Sequence, residues 1–214
     1  MAPQRSRDTL VIVLPKVYSY RRSGTHLLLS LIWRNFDVGD TAEAVHVPEM
    51  VWYSTGQHEA IVPWAKLFGD HNQYDASRVS VAQAIYIMRH PVDCLYSNWR
   101  SLEAQCDKDE YVVASADSWR RHVDSFVQAG IPAIQYEWLC YSPQLVLQLI
   151  QRLFGLRPYS DEWTLSDEPI GWSPGEGAMQ KPPYPRALYA DRLQAATLEQ
   201  LRQQLGACYY GYLI

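Results

Sequence analysis

The sequence lacks any apolar run near the ~20 residues that a membrane-spanning helix needs. Its four cysteines are scattered without C-x-x-C spacing, so they define neither a zinc motif nor a disulfide framework. The apolar stretch at residues 10–14 is too short for the core of a signal peptide. These absences predict a cytoplasmic protein with reduced thiols and no membrane span.

Excess positive charge is also missing. The chain has 19 Lys and Arg against 23 Asp and Glu, a net charge of −4, whereas general nucleic-acid binders are basic. We therefore expect no nucleic-acid partner, and any anion site has to come from local clustering of cations. Repeats and low-complexity tracts are absent as well, and 214 residues, 48% of them apolar, fit a single domain over residues 1–214.

Apolar strand-like segments alternate with segments of helical periodicity. Strands are predicted at residues 16–20, Ala84–Met88 and residues 131–136, and helices at residues 24–35, 91–100, 116–129, 143–154 and 193–205. Pro91 suits the first position of its helix, and Gly155 suits the position just after the end of the helix at residues 143–154. This alternation predicts an α/β fold, a central parallel sheet flanked by helices, with ligands at the carboxyl ends of the strands. Residues 157–186 hold six prolines and are predicted to be a long irregular segment with a functional role.

A short cationic turn follows the first predicted strand and precedes an apolar helix. A helix N-terminus has unpaired N–H groups and a partial positive charge, so it binds phosphates readily. Arg21 and Arg22 add charge-assisted donors, and Ser23 and Thr25 add hydroxyls. The turn therefore predicts an anion site, and an ordinary turn with solvated arginines is the alternative.

A second candidate anion site follows the strand Ala84–Met88. Arg89 ends this strand, and Ser97 lies eight residues later, in the next predicted helix. An arginine at a strand end is costly to bury without a partner, so a bound anion would explain it. A structural ion pair with Asp93 is the alternative.

Three motifs together resemble the sulfotransferases that use 3′-phosphoadenosine 5′-phosphosulfate (PAPS). The family's turn Pro-Lys/Arg-Ser-Gly-Thr-Thr is matched by Arg21-Arg22-Ser23-Gly24-Thr25-His26. Its signature Ile-Tyr-Ile-Val-Arg-Asp-Pro-x-Asp-Val-x-x-Ser is matched by IYIMRHPVDCLYS at residues 85–97, and its Tyr-Glu-Asp-Leu by Tyr136-Glu137-Trp138-Leu139. The resemblance implies a P-loop-NTPase-like sulfotransferase fold that binds PAPS without a metal ion.

The resemblance also implies a role for each matching residue. Arg22 takes the place of the catalytic cation that contacts the 5′-phosphosulfate and stabilises charge on the bridging oxygen. Arg89 and Ser97 would hold the 3′-phosphate, which distinguishes PAPS from ATP, and Tyr136 would lie near the adenine. The remaining contacts to the 5′-phosphate would come from Arg21, Ser23, Gly24, Thr25 and His26.

This chain departs from the family at several positions. Arg21 replaces the proline, His26 replaces the second threonine, and Leu27 stands where some members have a tryptophan that stacks on adenine. The late Arg-Lys-Gly segment that completes the 3′-phosphate site has no full counterpart, because residues 175–181 lack the arginine. That segment offers Lys181 as a cofactor contact.

Sulfuryl transfer also needs a base that deprotonates the acceptor hydroxyl, and histidine suits this task near neutral pH. His71 precedes the strand Ala84–Met88 by about the interval at which the family places its histidine base. His46, His58 and Glu49 are alternatives.

The sequence thus predicts transfer of a sulfuryl group from PAPS to a hydroxyl of a small-molecule or carbohydrate acceptor. Residues 46–64 and 157–186 are the predicted walls of the acceptor pocket. A P-loop kinase is disfavoured because the pattern G-x-x-x-x-G-K-[ST] is absent. A nucleotide-binding member of the same fold without turnover is the third hypothesis.

Overall fold

Four parallel strands form the sheet of the computed structural model, which describes residues 15–37, 69–70, 73–77, 79–101, 106–165 and 187–211. Their order across the sheet is β2-β1-β3-β4, and every neighbouring pair is parallel. The strands are β1 (Lys16–Ser19), β2 (Gly69–Asp70), β3 (Ala84–Met88) and β4 (Ala133–Gln135). The predicted α/β class with a parallel sheet is confirmed.

Seven α-helices flank this sheet in the described residues. They are α1 (Thr25–Asn35), α2 (Pro91–Ser101), α3 (Lys108–Gln128), α4 (Tyr136–Tyr141), α5 (Pro143–Phe154), α6 (Ala195–Leu205) and α7 (Ala207–Gly211). Short 3-10 turns at Val81–Gln83 and Ala190–Arg192 precede β3 and α6. None of these helices is both long enough and apolar enough to cross a membrane.

Two predicted elements differ from the structure. The prediction for α3 began at residue 116, but the helix starts at Lys108 because the Asp107 carboxylate caps it, accepting from the N–H groups of Asp109 and Glu110. The predicted strand at residues 131–136 is too long, since only Ala133–Gln135 form β4 and Tyr136 already begins α4. A helix of six residues is too short to show a clear helical period in the sequence.

The sheet separates two apolar cores because side chains alternate between its faces. Val17, Ile85 and Ile134 are fully buried in one core, together with residues of α1, α4 and α5. Tyr18 and Tyr86 point into the other core, with residues of α2, α3 and α6. The described residues thus form an α/β/α arrangement of three layers.

The order of the strands creates a crevice between β1 and β3. From β1 the chain proceeds to β2 on one side, and β3 then lies on the other side of β1. Ligands of open α/β sheets bind at such a switch point, outside the carboxyl ends of the strands. The segments that leave this edge are residues 20–24 after β1 and residues 89–90 after β3.

Candidate functional site

The turn between β1 and α1 has an unusual backbone conformation. Arg22 has φ 66° and Gly24 has φ 97°, both in the left-handed region, and the Ser23 N–H donates to the Tyr20 carbonyl at 3.2 Å. For a residue with a side chain, as at Arg22, this region costs on the order of 1 kcal/mol. Contacts from elsewhere in the fold therefore have to hold the turn.

Those contacts come from the segment that follows β3. Arg89 Nη1 donates to the Arg22 carbonyl at 2.9 Å, and the Cys94 thiol donates to the Arg21 carbonyl at 2.9 Å. Because the single thiol hydrogen is used there, the Ser23 hydroxyl donates to Cys94 Sγ, 3.2 Å away. Burial raises the pKa of Cys94 to about 12, so the thiol keeps the hydrogen that it donates.

Gly24 allows a close approach that no other residue would permit. A Cβ atom at this position would lie 2.3 Å from Cδ2 of Tyr136, and its φ of 97° disfavours other residues as well. The Tyr136 ring therefore packs directly against the backbone at the start of α1. The Arg89 guanidinium lies over the same ring, with Cζ 4.6 Å from its centroid, in a cation–π contact.

Arg22 and Ser97 are joined across the crevice. Arg22 Nε donates to Ser97 Oγ at 3.2 Å, which links the turn to the second helical turn of α2. The Thr25 hydroxyl is hydrogen-bonded to that of Ser19 at the end of β1. The N–H groups at the start of α1 are further donors that this turn offers to an anion.

Arg89 is buried, with 8% of its surface exposed, and its hydrogen bonds are incomplete. Nη1 is used, but Nε has no hydrogen-bond partner among the described residues. The Asp93 carboxylate, the predicted alternative partner, instead accepts the backbone N–H groups of Leu188 and Tyr189, both at 3.0 Å. A buried guanidinium N–H without a partner is costly, and a bound anion would satisfy it.

The structure brings together most of the predicted site residues. One group lies in the turn and at the first residue of α1: Arg22, Ser23, Gly24 and Thr25. The other group comes from the segments after β3 and β4 and packs against the turn: Arg89, Ser97 and Tyr136. Arg21 contributes its carbonyl to the Cys94 contact, and its own side chain is exposed. His71 and Lys181 lie outside the described residues, as does the side chain of His26. The nucleotide contacts assigned to these residues stay predictions.

Two residues of this region were not among the predicted site residues. Cys94 holds the turn, as described above. Glu137 is buried, its Oε1 accepts the His90 N–H at 3.4 Å, and its Oε2 has no partner in the described part of the chain. Burial raises the pKa of Glu137. Both residues stand within the matched motifs, which was the only signal in the sequence that pointed to them.

His90 makes this edge sensitive to acid. Burial, and then the charge of Arg89, lowers the pKa of His90 from 6.5 to about 4, and its Nδ1 accepts the Val92 N–H at 3.2 Å. In the unfolded chain the imidazole takes up a proton below pH 6.5, whereas in the folded chain it does so only near pH 4. The contribution of neutral His90 to the free energy of unfolding is therefore complete above pH 6.5 and is lost as the pH falls towards 4.

We expect the titration of His90 to lower the free energy of unfolding by about 2 kcal/mol when the pH falls from 8 to 5. Urea unfolding at a series of pH values measures this loss. In the variant His90→Asn the loss should be smaller, because an asparagine oxygen can accept the Val92 N–H and does not titrate. The same pH dependence in both proteins would show that His90 is not the cause.

Metal ligands do not cluster in the described ranges, where no group of three or more His, Cys, Asp or Glu residues is placed to hold an ion. The site is therefore described by its cations and its backbone N–H groups.

Comparison with known proteins gives a distant structural likeness and no family. No family model matches the chain, and no curated protein matches it. Among solved structures it is similar to a sulfotransferase domain from the olefin synthase of Synechococcus PCC 7002. The sequence identity is 16%, the TM-score is 0.39, and the match covers 89% of this chain and 94% of that one. A likeness this distant does not assign a family, so the function has to be argued from the site.

Proposed function

We propose that this protein is a PAPS-dependent sulfotransferase that acts on the hydroxyl of a small-molecule or carbohydrate acceptor. The observation that carries the proposal is the buried Arg89, whose Nε has no partner in the described residues. Arg89 also donates to the carbonyl of Arg22, in the strained turn before α1. The buried guanidinium and the start of α1 are thus two adjacent places where an anion could bind, which suits a ligand with two separate phosphate groups.

The residues fit such a ligand. The start of α1 has no acidic residue in its first turn and no side-chain cap, so its N–H groups and partial charge favour the 5′-phosphate. Arg89 and Ser97 are proposed to hold the 3′-phosphate. Tyr136, whose ring lies against Gly24 and Arg89, is proposed to face the adenosine. The proposed fold type is the P-loop-like sulfotransferase fold, and the proposed location is the cytoplasm.

Arg22 is proposed to provide the electrostatic part of catalysis. PAPS, when bound, supplies an activated sulfuryl group whose departure leaves negative charge on the 5′-phosphate. A guanidinium fixed beside that phosphate stabilises the charge as it develops, without reorganising. The hydrogen bond from Arg22 Nε to Ser97 Oγ holds the side chain on this edge of the sheet.

The base that accepts the hydroxyl proton is proposed to be His71, which lies outside the described residues, as do His46, His58 and Glu49. We expect His71→Ala to reduce turnover while it leaves the affinity for nucleotide nearly intact, since a base contacts the acceptor rather than the nucleotide. Steady-state rates and nucleotide titrations of the variant test this. Unchanged turnover would move the base to another residue.

Thermal unfolding with 3′,5′-adenosine bisphosphate, the product nucleotide, is the first test of the proposal. At 100 times its dissociation constant a ligand adds about 2.7 kcal/mol to stability. We expect a shift with the bisphosphate that needs no magnesium, and a smaller one with ADP. A shift in melting temperature that occurs only with ATP and magnesium, and not with the bisphosphate, would favour a kinase. Binding of the bisphosphate without sulfuryl transfer from PAPS to a panel of phenols, alcohols and sugars would favour a non-catalytic member of the fold.

A further inference from the structure

We propose that Tyr189 is a further ligand of the 3′-phosphate, to which its hydroxyl donates beside Arg89 and Ser97. This inference rests on the function proposed above and addresses a specific gap in it. Relative to the sulfotransferases that it resembles, the chain lacks the late arginine that would complete the 3′-phosphate site. A phenol that is fixed beside Arg89 would supply the missing donor.

Tyr189 is held in place through its backbone. Asp93 is fully buried, and its two carboxylate oxygens accept the backbone N–H groups of Leu188 and Tyr189 at 3.0 Å each. Hydrogen bonds from backbone N–H groups to a carboxylate are charge-assisted and therefore strong. The chain at Tyr189 is thus fastened to the first turn of α2, directly after Arg89.

One face of α2 receives this segment. Asp93 and Ser97 are four residues apart in one helix, so their side chains lie on the same face. Tyr189 is therefore attached to the face of α2 that carries Ser97. Its ring packs against Tyr96, the neighbour of Ser97, with centroids 4.8 Å apart and planes 33° apart.

Tyr189 is partly exposed, and within the described ranges no hydrogen bond uses its hydroxyl. The Asp93 carboxylate, which accepts the Tyr189 N–H, lies near enough to Arg89 to stabilise its positive charge. Tyr189 is therefore held in the surroundings of this guanidinium, and a ligand that Arg89 binds would lie next to this segment.

A phenol also suits the charge at this subsite. Arg89 already brings one buried positive charge, and the Asp93 carboxylate lies close by. A neutral donor adds a hydrogen bond to a phosphate without a second cation that would have to be buried with it. Tyrosine hydroxyls donate to phosphate oxygens in this way elsewhere in nucleotide and nucleic-acid recognition.

The test compares the affinities for 3′,5′-adenosine bisphosphate and 5′-AMP, measured by calorimetry on the full chain. We expect Tyr189→Phe to reduce the preference for the bisphosphate about tenfold, which is the usual loss for one hydrogen bond to a charged group. Its affinity for 5′-AMP should not change. The variant keeps the ring that packs on Tyr96 and the backbone that Asp93 holds, so it should fold, and its melting temperature verifies this.

Tyr96→Phe is the matched control, because it removes a hydroxyl from the other ring of the same pair. It should leave the preference for the bisphosphate unchanged. If the native protein prefers the bisphosphate and Tyr189→Phe keeps that preference in full, the role of Tyr189 is overturned while the proposed function stands. If the native protein has no such preference, the 3′-phosphate subsite and the role of Tyr189 are overturned together.

Discussion

Arg89→Ala is expected to lower the affinity for 3′,5′-adenosine bisphosphate about 100-fold or more and to affect 5′-AMP much less. Removal of one partner of a buried, charge-assisted contact typically costs 2–5 kcal/mol. Arg89 is buried, and its Nε has no partner among the described residues, so the 3′-phosphate is the group that would lose most. Parallel titrations of the native chain and the variant with both nucleotides measure the effect.

The two-ligand design is needed because Arg89 also supports the turn. Its Nη1 donates to the Arg22 carbonyl, and its guanidinium lies over Tyr136, so we expect the alanine variant also to loosen the proposed 5′-phosphate site. The loss of affinity from a loosened turn should be the same for both nucleotides, so it cancels in the ratio of their dissociation constants. Equal losses for both would therefore remove Arg89 from the 3′-phosphate site.

Two further variants make the comparison specific for the guanidinium. Arg89→Lys keeps the charge but loses the planar, forked donor, so it should retain part of the affinity. Arg100→Ala removes an exposed cation from the last turn of α2, the helix that follows Arg89. It should change neither affinity by more than about twofold, because solvent and salt screen an exposed charge.

Much of the fold was predictable because its signals are local. The apolar run of β3, the proline at the start of α2 and the glycine after α5 each reflect a backbone preference of the residue itself. Gly155 indeed has φ 63°. The start of α3 was missed although its cap, Asp107, is a local signal, and α4 was missed because it is too short to show a helical period.

The proximity of the candidate residues was predictable, but the contacts between them were not. Residues of both anion motifs meet because β1 and β3 are adjacent and parallel, which follows from an α/β pattern. That the Cys94 thiol holds the Arg21 carbonyl, or that Asp93 binds residues almost a hundred positions later, depends on packing between distant segments. Local sequence patterns do not predict such contacts between distant segments.

Arg22 is expected to carry the largest effect on turnover. Loss of one preorganised group that stabilises developing charge typically lowers kcat by about 10²–10³-fold. The usual alanine substitution would change two things, since Arg22 has φ 66° and alanine is strained in that region. Arg22→Gly is the sharper variant, because glycine adopts this backbone without steric strain and the side chain is removed without forcing the turn to change.

We therefore expect Arg22→Gly to lower kcat about 10²–10³-fold while the dissociation constant of the bisphosphate rises much less. Steady-state rates with PAPS and an acceptor found in the screen, together with calorimetry, measure the two effects. Arg34→Ala, at the opposite end of α1, is the matched control for removing one positive charge and should leave both values unchanged. If Arg22→Gly keeps kcat within threefold of the native value, charge stabilisation comes from elsewhere, because the variant preserves the turn and with it the N–H groups at the start of α1.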